Sequence, residues 1–271
     1  MSTITLTLKE SPSVPLETEV ITPDTVADLS RSEIAALTVY HGKRVCRLDD
    51  FFDIDGEKSE HIEIHGDLHR VRMIGKGMSR GSLSITGNVG MHLGAQMSGG
   101  TITVNGNASD WIGAEMTGGL IRIHGNGGGQ IGAAYRGSLA GMRNGTILVD
   151  GTAGLEVGMR MKRGTIVIGK TVRDFAGLQM KGGTIVMLSG AEIRTGAWMN
   201  RGTIISCQPT QVMPTFAYSG AYNPTFVNVY AKHLTQYGID LPYKVSAGTY
   251  SRYAGDMGVS GKGELLVWNP V

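Results

Sequence analysis

The amino-acid sequence predicts an all-β protein, a right-handed parallel β-helix of about seven coils with a small capping segment at each end. Three observations predict it: a nineteen-residue repeat, two unbroken glycine columns and a methionine column. A repeat this short cannot hold a pair of helices, and it lacks the leucine pattern of a horseshoe-shaped solenoid. Each repeat is therefore expected to form one coil, with successive coils about 4.8 Å apart.

The repeat runs from about residue 61 to residue 202. After a slightly longer first coil at 61–81, the coils begin at Ser82, Thr101, Leu120, Thr146, Thr165 and Thr184. Their spacing is nineteen residues except between Leu120 and Thr146, where seven further residues are inserted within 133–140. An insertion in an otherwise strict repeat leaves the stack, so it is either a tolerated surface loop or a contact for a partner.

Each coil opens with an alternating stretch such as Thr101-Ile102-Thr103-Val104, typical of a strand with its apolar residues on one face. Glycines follow at corners where the backbone must adopt a positive φ or approach other backbone closely. The two columns are Gly94, Gly113, Gly132, Gly158, Gly177 and Gly196, and Gly100, Gly119, Gly145, Gly164, Gly183 and Gly202.

In each coil a methionine lies between the two column glycines, and its side chain is expected to point into the core. The column is Met97, Met116, Met142, Met161, Met180 and Met199. Because neighbouring side chains alternate, Glu115 is expected to point outward beside Met116 and to tolerate change to lysine.

The sequence divides into an N-terminal cap at 1–60, the coils at 61–206 and a C-terminal cap and tail at 207–271. Caps are expected because both ends of a solenoid expose unpaired strand edges. The N-terminal cap contains a predicted strand, Ile4–Leu8, and a short helix after the capping-box sequence Ser30-Arg31-Ser32-Glu33.

Beyond Gly202 the period ends. Thr203-Ile204-Ile205 is expected to be the final strand, and Asn228 to Tyr237 a helix.

Composition excludes several functions. Residues 1–12 lack the features of a signal peptide, and no apolar run approaches a membrane span, so we expect a cytoplasmic protein with no membrane contact. Cys46 and Cys207 are too few for a disulfide framework or an iron-sulfur site. A formal net charge of +2 gives no general attraction to nucleic acid.

No catalytic set and no metal site are predicted. The outward position before the first turn holds a polar ladder, but its two histidines would lie about 14 Å apart, too far to share a metal. The ladder is His65, Thr86, Asn105, His124 and Asp150. His61, His65 and His69 have helical ligand spacing but lie in a predicted strand.

An acidic stretch also falls short of a metal site. Asp53, Asp55 and Glu57 resemble part of a calcium loop, yet the downstream Glu is missing, so a solvated turn is expected.

The coil pattern, the Val39-Tyr40-His41-Gly42 stretch before it, and the tail with Arg252-Tyr253 and Gly261-Lys262-Gly263-Glu264-Leu265 resemble the C subunit of formylmethanofuran dehydrogenase. The resemblance runs along essentially the whole chain. The same coils occur in the carboxyl-terminal β-helix domain of the glutamate synthase large subunit, so the flanking segments favour the dehydrogenase's C subunit.

The resemblance implies a structural and docking subunit, not catalytic alone, of a complex that handles a formyl group. In the bacterial formyltransferase/hydrolase complex of methylotrophs, which we favour, the group passes from tetrahydromethanopterin to a methanofuran analogue and is hydrolysed to formate. The expected partners are amidohydrolase-like, formyltransferase and subunit-B-like chains. This chain is expected to bind no cofactor alone.

Three alternatives remain at this point. One is the C subunit of a tungsten or molybdenum formylmethanofuran dehydrogenase, and another is a free-standing relative of the glutamate synthase domain. A β-helix enzyme acting on a carbohydrate is the third, disfavoured because no acidic cluster is visible in the sequence.

The segment from Thr146 to Gly202 contains eight Lys or Arg residues and four Asp or Glu residues. Lys162 and Lys181 share one column of the repeat, and Arg163 and Arg201 share the next, so stacking places the four on one side. They are candidates for contact with the acidic glutamyl tail that the resemblance implies for the cofactor, or with an acidic partner. A solvated edge that discourages unwanted strand pairing is the alternative.

Overall fold

The computed structural model describes residues 3–270 of an all-β chain. The segment before the coils contains five strands, two short helices and a 3-10 turn. They are β1 (Ile4–Leu8), β2 (Leu16–Glu17), α1 (Pro23–Val26), α2 (Arg31–Ala35), β3 (Thr38–His41), β4 (Arg44–Arg47), the 3-10 turn Leu48–Asp50 and β5 (Phe52–Asp55). The predicted strand at Ile4–Leu8 is confirmed. So is the capping box, in which Ser30 and Glu33 satisfy each other's backbone N–H groups at the start of α2.

The repeats supply strands that pair side by side, parallel and in register. The strands are β6 (His61–His65), β7 (Val71–Arg72), β8 (Ser82–Thr86), β9 (Thr101–Asn105), β10 (Leu120–Ile123), β11 (Thr146–Val149), β12 (Thr165–Ile168), β13 (Lys181–Met187) and β14 (Arg201–Ser206). All except β7 belong to one sheet of 13 strands, whereas β7 joins β2, β3 and β4 in a sheet of four. Ile102 of β9 pairs with Ile121 of β10, and Ile121 pairs with Ile147 of β11, so one row of apolar residues runs along the stack.

A second ladder repeats with the same period. Single parallel bridges join Leu68 to Val89, Val89 to Ala108 and Ala108 to Gly127, and later Ala153 to Val172 and Val172 to Ala191. Successive repeats therefore pair at two places on either side of the insertion, where no bridge joins Gly127 to Ala153 within the described residues.

The core contains the methionine column. The six predicted members, from Met97 to Met199, are fully buried. The corner glycines have positive φ as expected; at Gly113, φ is +58° and a Cβ would lie 2.6 Å from Cδ1 of Ile147. A larger residue there would have to displace the core row of the next repeat.

A left-handed backbone also recurs at positions that are not glycine. In the third repeat Trp111 has a φ of 68° and Glu115 a φ of 57°, flanking Gly113. Few non-glycine residues adopt this conformation, and its repetition places their side chains in two columns along the stack. The columns are His92, Trp111, Gln130, Glu156, Phe175 and Arg194, and Gln96, Glu115, Arg160, Gln179 and Trp198.

The C-terminal segment extends the main sheet. It contains β15 (Ala217–Tyr222), α3 (Val227–Thr235), α4 (Tyr243–Ser246), β16 (Tyr250–Gly255) and β17 (Lys262–Trp268). The predicted helix near 228–237 is confirmed as α3. The expectation that 203–205 form the final strand is wrong, because β17 pairs with β14 in parallel, with Ile204 opposite Leu265.

Both ends of the stack are closed by antiparallel strands. At one end β1 pairs in parallel with β6 and antiparallel with β5. At the other end β16 pairs antiparallel with both β17 and β15. The added strands cover the outer edges of β6 and β14.

The helices of the C-terminal segment cover the outer face of the later strands. Leu148, Val167 and Val186 occupy the position that Thr103 holds in β9, and they are buried in a second apolar cluster with Leu234 of α3. Early strands thus have one buried face, whereas later strands are buried on both.

Candidate functional surface

Lys162 and Lys181 occupy equivalent positions in successive repeats. The amide of Lys162 donates to the carbonyl of Met142 at 2.8 Å, and the amide of Lys181 donates to that of Met161 at 2.7 Å. Arg143 stands one repeat earlier, since its amide donates to Met116 in the same way. Arg143 was not predicted from the sequence because the insertion comes shortly before it, although it lies three residues before Thr146, as Lys162 lies before Thr165 and Lys181 before Thr184.

Arg163 and Arg201 form the neighbouring column, and β17 adds a further cation. Arg201 pairs with Lys262 across the β14–β17 ladder. We call the set the basic face: Arg143, Lys162, Arg163, Lys181, Arg201 and Lys262. Within residues 3–270, no carboxylate lies within 4.0 Å of any of their charged nitrogens. Exposed cations of this kind attract anions weakly, by about 0 to 1 kcal/mol for each pair.

Lys181 has a structural partner as well. Its ammonium donates to the carbonyl of Leu139 at 2.7 Å, in the insertion loop formed by 133–140. Arg160 binds the same loop, donating from Nη1 to the carbonyl of Ser138 at 2.7 Å. The insertion loop therefore runs along the stack beside the basic face.

An aromatic cluster holds the other end of the insertion loop. The ring of Tyr135 stacks on that of Trp111, with centroids 5.0 Å apart and planes 25° apart. The Tyr135 hydroxyl is hydrogen-bonded to Nδ1 of His92 at 2.9 Å. Burial, aided by the negative charges of Glu115 and Glu19, raises the pKa of Tyr135 to about 12, so this hydroxyl keeps its proton at neutral pH.

Glu115 joins the insertion loop to the stack. It is outside the core, as predicted, but its carboxylate accepts from Gln96 Nε2 at 3.1 Å and from the amide of Tyr135 at 3.3 Å. Burial opposes ionisation of Glu115, but hydrogen bonds, the first from Ser138, and the charge of Arg143 outweigh it and hold its pKa below the usual range. The expectation that a lysine would be tolerated here stays a prediction for the fold, but a lysine could not accept the bonds that hold the insertion loop.

The polar ladder contains an ion-pair network that sequence reasoning missed. Nδ1 of His124 lies 2.8 Å from Asp150, and Nη2 of Arg122 lies 2.7 Å from the same carboxylate. Arg122 also donates to the carbonyl of Tyr237 just beyond α3. The acid and the histidine come from adjacent repeats, so a search within single coils could not pair them. Because the guanidinium of Arg122 binds both the carboxylate of Asp150 and the carbonyl of Tyr237, the network fastens the C-terminal segment to the sheet.

The other polar residues that the sequence offered as candidate ligands each pair with a different neighbour. Asp53 faces Lys9, whereas Asp55 faces Arg31, in ion pairs of 3.7 and 3.9 Å. His61 is hydrogen-bonded to Ser82 and His69 to Asp67. Among residues 3–270 there is no group of three His, Cys, Asp or Glu side chains placed to hold a metal ion. Over the same range no helix is long and apolar enough to cross a membrane.

Stacked repeats with glycine corners, extended by further strands at both ends of the sheet and carrying an exposed basic face, define an all-β repeat protein whose candidate functional features are surfaces. The chain belongs to the family described by the GXGXG motif, whose model matches residues 62–223.

Several curated relatives match part of the chain. The chain is 42% identical over 100 residues to the C subunit of the tungsten-containing formylmethanofuran dehydrogenase 2 of Methanothermobacter thermautotrophicus. This alignment covers 35% of this chain and 37% of that protein. The chain is also 37% identical over 98 residues to the C subunit of the molybdenum-containing formylmethanofuran dehydrogenase 1 of Methanosarcina barkeri, 34% of this chain and 33% of that protein. The chain thus spans about a third of the length of these relatives.

A solved structure matches almost the whole chain. A chain in the X-ray crystal structure of the formyltransferase/hydrolase complex (FhcABCD) from Methylorubrum extorquens in complex with methylofuran superimposes with a TM-score of 0.91 at 35% identity. The superposition covers 98% of this chain and all of that one.

Proposed function

We propose that this chain is a non-catalytic structural and docking subunit of a formyltransferase/hydrolase complex in one-carbon metabolism. The observation that carries the proposal is the end-to-end likeness to a chain of FhcABCD, because it includes both capping segments as well as the repeat. The repeat alone would fit many members of a superfamily, because a shared fold does not by itself define a function.

In this proposal the chemistry belongs to the partner subunits. A formyl group passes from tetrahydromethanopterin to a methanofuran analogue on a formyltransferase chain and is hydrolysed to formate on an amidohydrolase-like chain. The present chain, with a subunit-B-like chain, holds them together in the cytoplasm. Its own contribution is geometric, since a rigid stack fixes the distance between the two sites.

The architecture suited to this role is a right-handed parallel β-helix at 61–206, between an N-terminal cap at 1–60 and a C-terminal cap at 207–271. The two parallel ladders with a common nineteen-residue period support it, because repeats that pair with their neighbours at two separate places are expected to wind as a coil.

The basic face is proposed to contact the acidic tail of the methanofuran-type cofactor or an acidic partner. Its members on 162–201 are exposed or half-buried and have no carboxylate partner within residues 3–270. Weak exposed pairs suit a carrier that must move between sites, since each contact can be exchanged at little cost.

A second candidate is the C subunit of a formylmethanofuran dehydrogenase. The higher local identity of 42% to the corresponding chain of the tungsten enzyme favours it. The likeness to the FhcABCD chain extends over nearly three times as much of the sequence, and we give it more weight.

Affinity purification of the tagged chain from its own cells, followed by mass spectrometry, tests the proposal. Amidohydrolase-like and formyltransferase chains are expected in the purified complex. Tungsten- or molybdenum-containing subunits in their place would select the second candidate, and purification of the chain alone would contradict both.

A further inference from the structure

The insertion loop presents one apolar side chain on a fixed backbone. Leu139 is 75% exposed, although its own carbonyl is bound by Lys181 and the preceding carbonyl by Arg160. At the start of the loop, Tyr135 is fixed by its stack on Trp111 and by the carboxylate of Glu115. Lys181, Arg160 and Glu115 hold backbone atoms of the loop, the Trp111 stack holds the Tyr135 ring, and the side chain of Leu139 stays exposed.

This arrangement differs from an ordinary surface leucine. Single exposed apolar residues are common and need no explanation when their loops are free. Here two cations and a carboxylate from three repeats hold the loop, and they add nothing to the apolar core. Ordering a loop before binding lowers the entropy lost on association, so a rigid exposed leucine is what a preorganised contact requires.

The charges around the leucine indicate the chemistry of its partner. Arg136 lies in the insertion loop, and Lys162 lies in the column between Arg143 and Lys181, the residue that touches Leu139. Arg136, Arg143 and Lys162 have no carboxylate within 4.0 Å in the part of the chain that the structure describes. A complementary surface therefore combines an apolar pocket with an acidic rim.

We propose that the insertion loop is a preformed knob that places Leu139 in an apolar, acid-rimmed pocket of a partner subunit. The inference rests on the proposed function and identifies the surface through which this chain docks. Leu139 fills the pocket, and Arg136 meets the rim.

The test compares two exposed apolar residues at different ends of the molecule. Leu139→Asp removes the knob, whereas Val45→Asp changes a residue of β4 that is 69% exposed. Neither side chain is in the core, so both purified variants should melt at the wild-type temperature. Each variant is co-expressed with the amidohydrolase-like, formyltransferase and subunit-B-like chains to test assembly. The affinity of the variant for these partner chains is then measured by titration.

Leu139→Asp is expected to weaken assembly about 10-fold or more, as for truncation of a central interface residue, with Val45→Asp unchanged. If the wild type assembles and both variants assemble equally well, the docking inference is wrong and the proposed function stands. Equal weakening by both variants would also overturn the inference, since the effect would not be specific to the loop. A wild-type chain that retrieves none of the three partner chains would overturn the inference together with the proposed function.

The acidic rim is tested separately. Arg136→Glu should weaken assembly more at low salt than at high salt, and Arg136→Lys should keep most of the affinity. Equal affinity of the two variants at low salt would exclude an acidic rim.

Discussion

Met116 and Glu115 are neighbours in the chain with opposite surroundings. Met116 is fully buried between glycine-cornered repeats, whereas Glu115 is half-buried and binds the insertion loop. The left-handed backbone at Glu115 directs the Glu115 side chain out of the stack, whereas the side chain of Met116 points into it. The two residues therefore support different parts of the molecule, and changes at each should be separable.

Met116→Ala is expected to lower the free energy of unfolding by about 2 to 5 kcal/mol, because it removes buried volume from a tightly packed column. Denaturant unfolding would measure the change, with Thr117→Ala as the adjacent control. An unfolding midpoint equal to that of the wild type would refute the inward position of the methionine.

Glu115→Lys should leave the core folded but release the insertion loop, because the lysine cannot accept from Gln96 or from the amide of Tyr135. Trypsin cleavage after Arg136 measures the release and should become several times faster. The control is Glu192→Lys, which changes another exposed acid of the stack and should not alter the cleavage rate.

His92 is expected to make stability depend on pH. Burial lowers its pKa below 6.5, with the charges of Arg72 and Lys76 adding to the effect and those of Glu17 and Asp110 opposing it. The unfolded chain then binds a proton more readily than the folded one, so stability present above pH 6.5 is lost as the pH falls through the lower pKa of the folded state. Denaturant unfolding of wild type and His92→Asn at several pH values measures this, and parallel curves would contradict it.

At the scale of single elements, the repeated strands and α3 were predictable, whereas the pairing of the C-terminal strands was not. Strand starts at Ser82 and Thr101, the glycine corners and the methionine column follow from local spacing, which the backbone geometry of each repeat enforces. The pairing of β17 with β14 joins Leu265 to Ile204 across the whole C-terminal cap, and no local pattern specifies such a register.

In the candidate surface, too, some features follow from the sequence and others do not. The shared columns of Lys162 with Lys181 and Arg163 with Arg201 follow from the period. The path of the insertion loop does not, because its anchors at Lys181 and His92 lie in repeats distant in sequence.

The second apolar cluster gives a matched pair of variants. Val167 and Thr103 occupy equivalent positions, but Val167 is buried under the C-terminal segment and Thr103 is not. Val167→Lys is expected to lower the free energy of unfolding by about 3 kcal/mol or more, because it buries an unpaired charge, whereas Thr103→Lys should change it by about 0.5 kcal/mol or less. Thermal and denaturant unfolding of the two proteins checks this. Similar losses in both would mean that the C-terminal segment does not cover the sheet in solution.

At the scale of the whole molecule, charge is distributed unevenly. The basic face extends over the later repeats and continues into β17, whereas Lys76 and Arg80 of the first repeat are paired with Glu19 and Glu60. A surface of one sign at one end of a rigid stack orients an anionic ligand or partner during approach.

Reversing Lys162, Arg163 and Arg201 to Glu is expected to weaken assembly with an acidic partner or to raise the apparent KM of the complex for its cofactor. Lys181 is left unchanged because it also anchors the insertion loop. The difference from wild type should shrink as salt reduces the Debye length to about 8 Å or less. Lys43, Arg44 and Arg47, on the small N-terminal sheet, are reversed as the control for net charge. If both triple variants behave like the wild type, the basic face is a solvated edge.

The late position of β17 in the sequence imposes an order on biosynthesis. As the chain leaves the ribosome, each repeat can add to the one before it, since in a stack every repeat contacts chiefly its neighbours. β14 completes the series, but its outer edge pairs with residues 262–268. For the time needed to synthesise the segment between β14 and β17, the outer edge of β14 therefore stays unpaired and able to accept a parallel strand. This interval, rather than any step in forming the repeats, is when the chain is most exposed to pairing with another copy of itself.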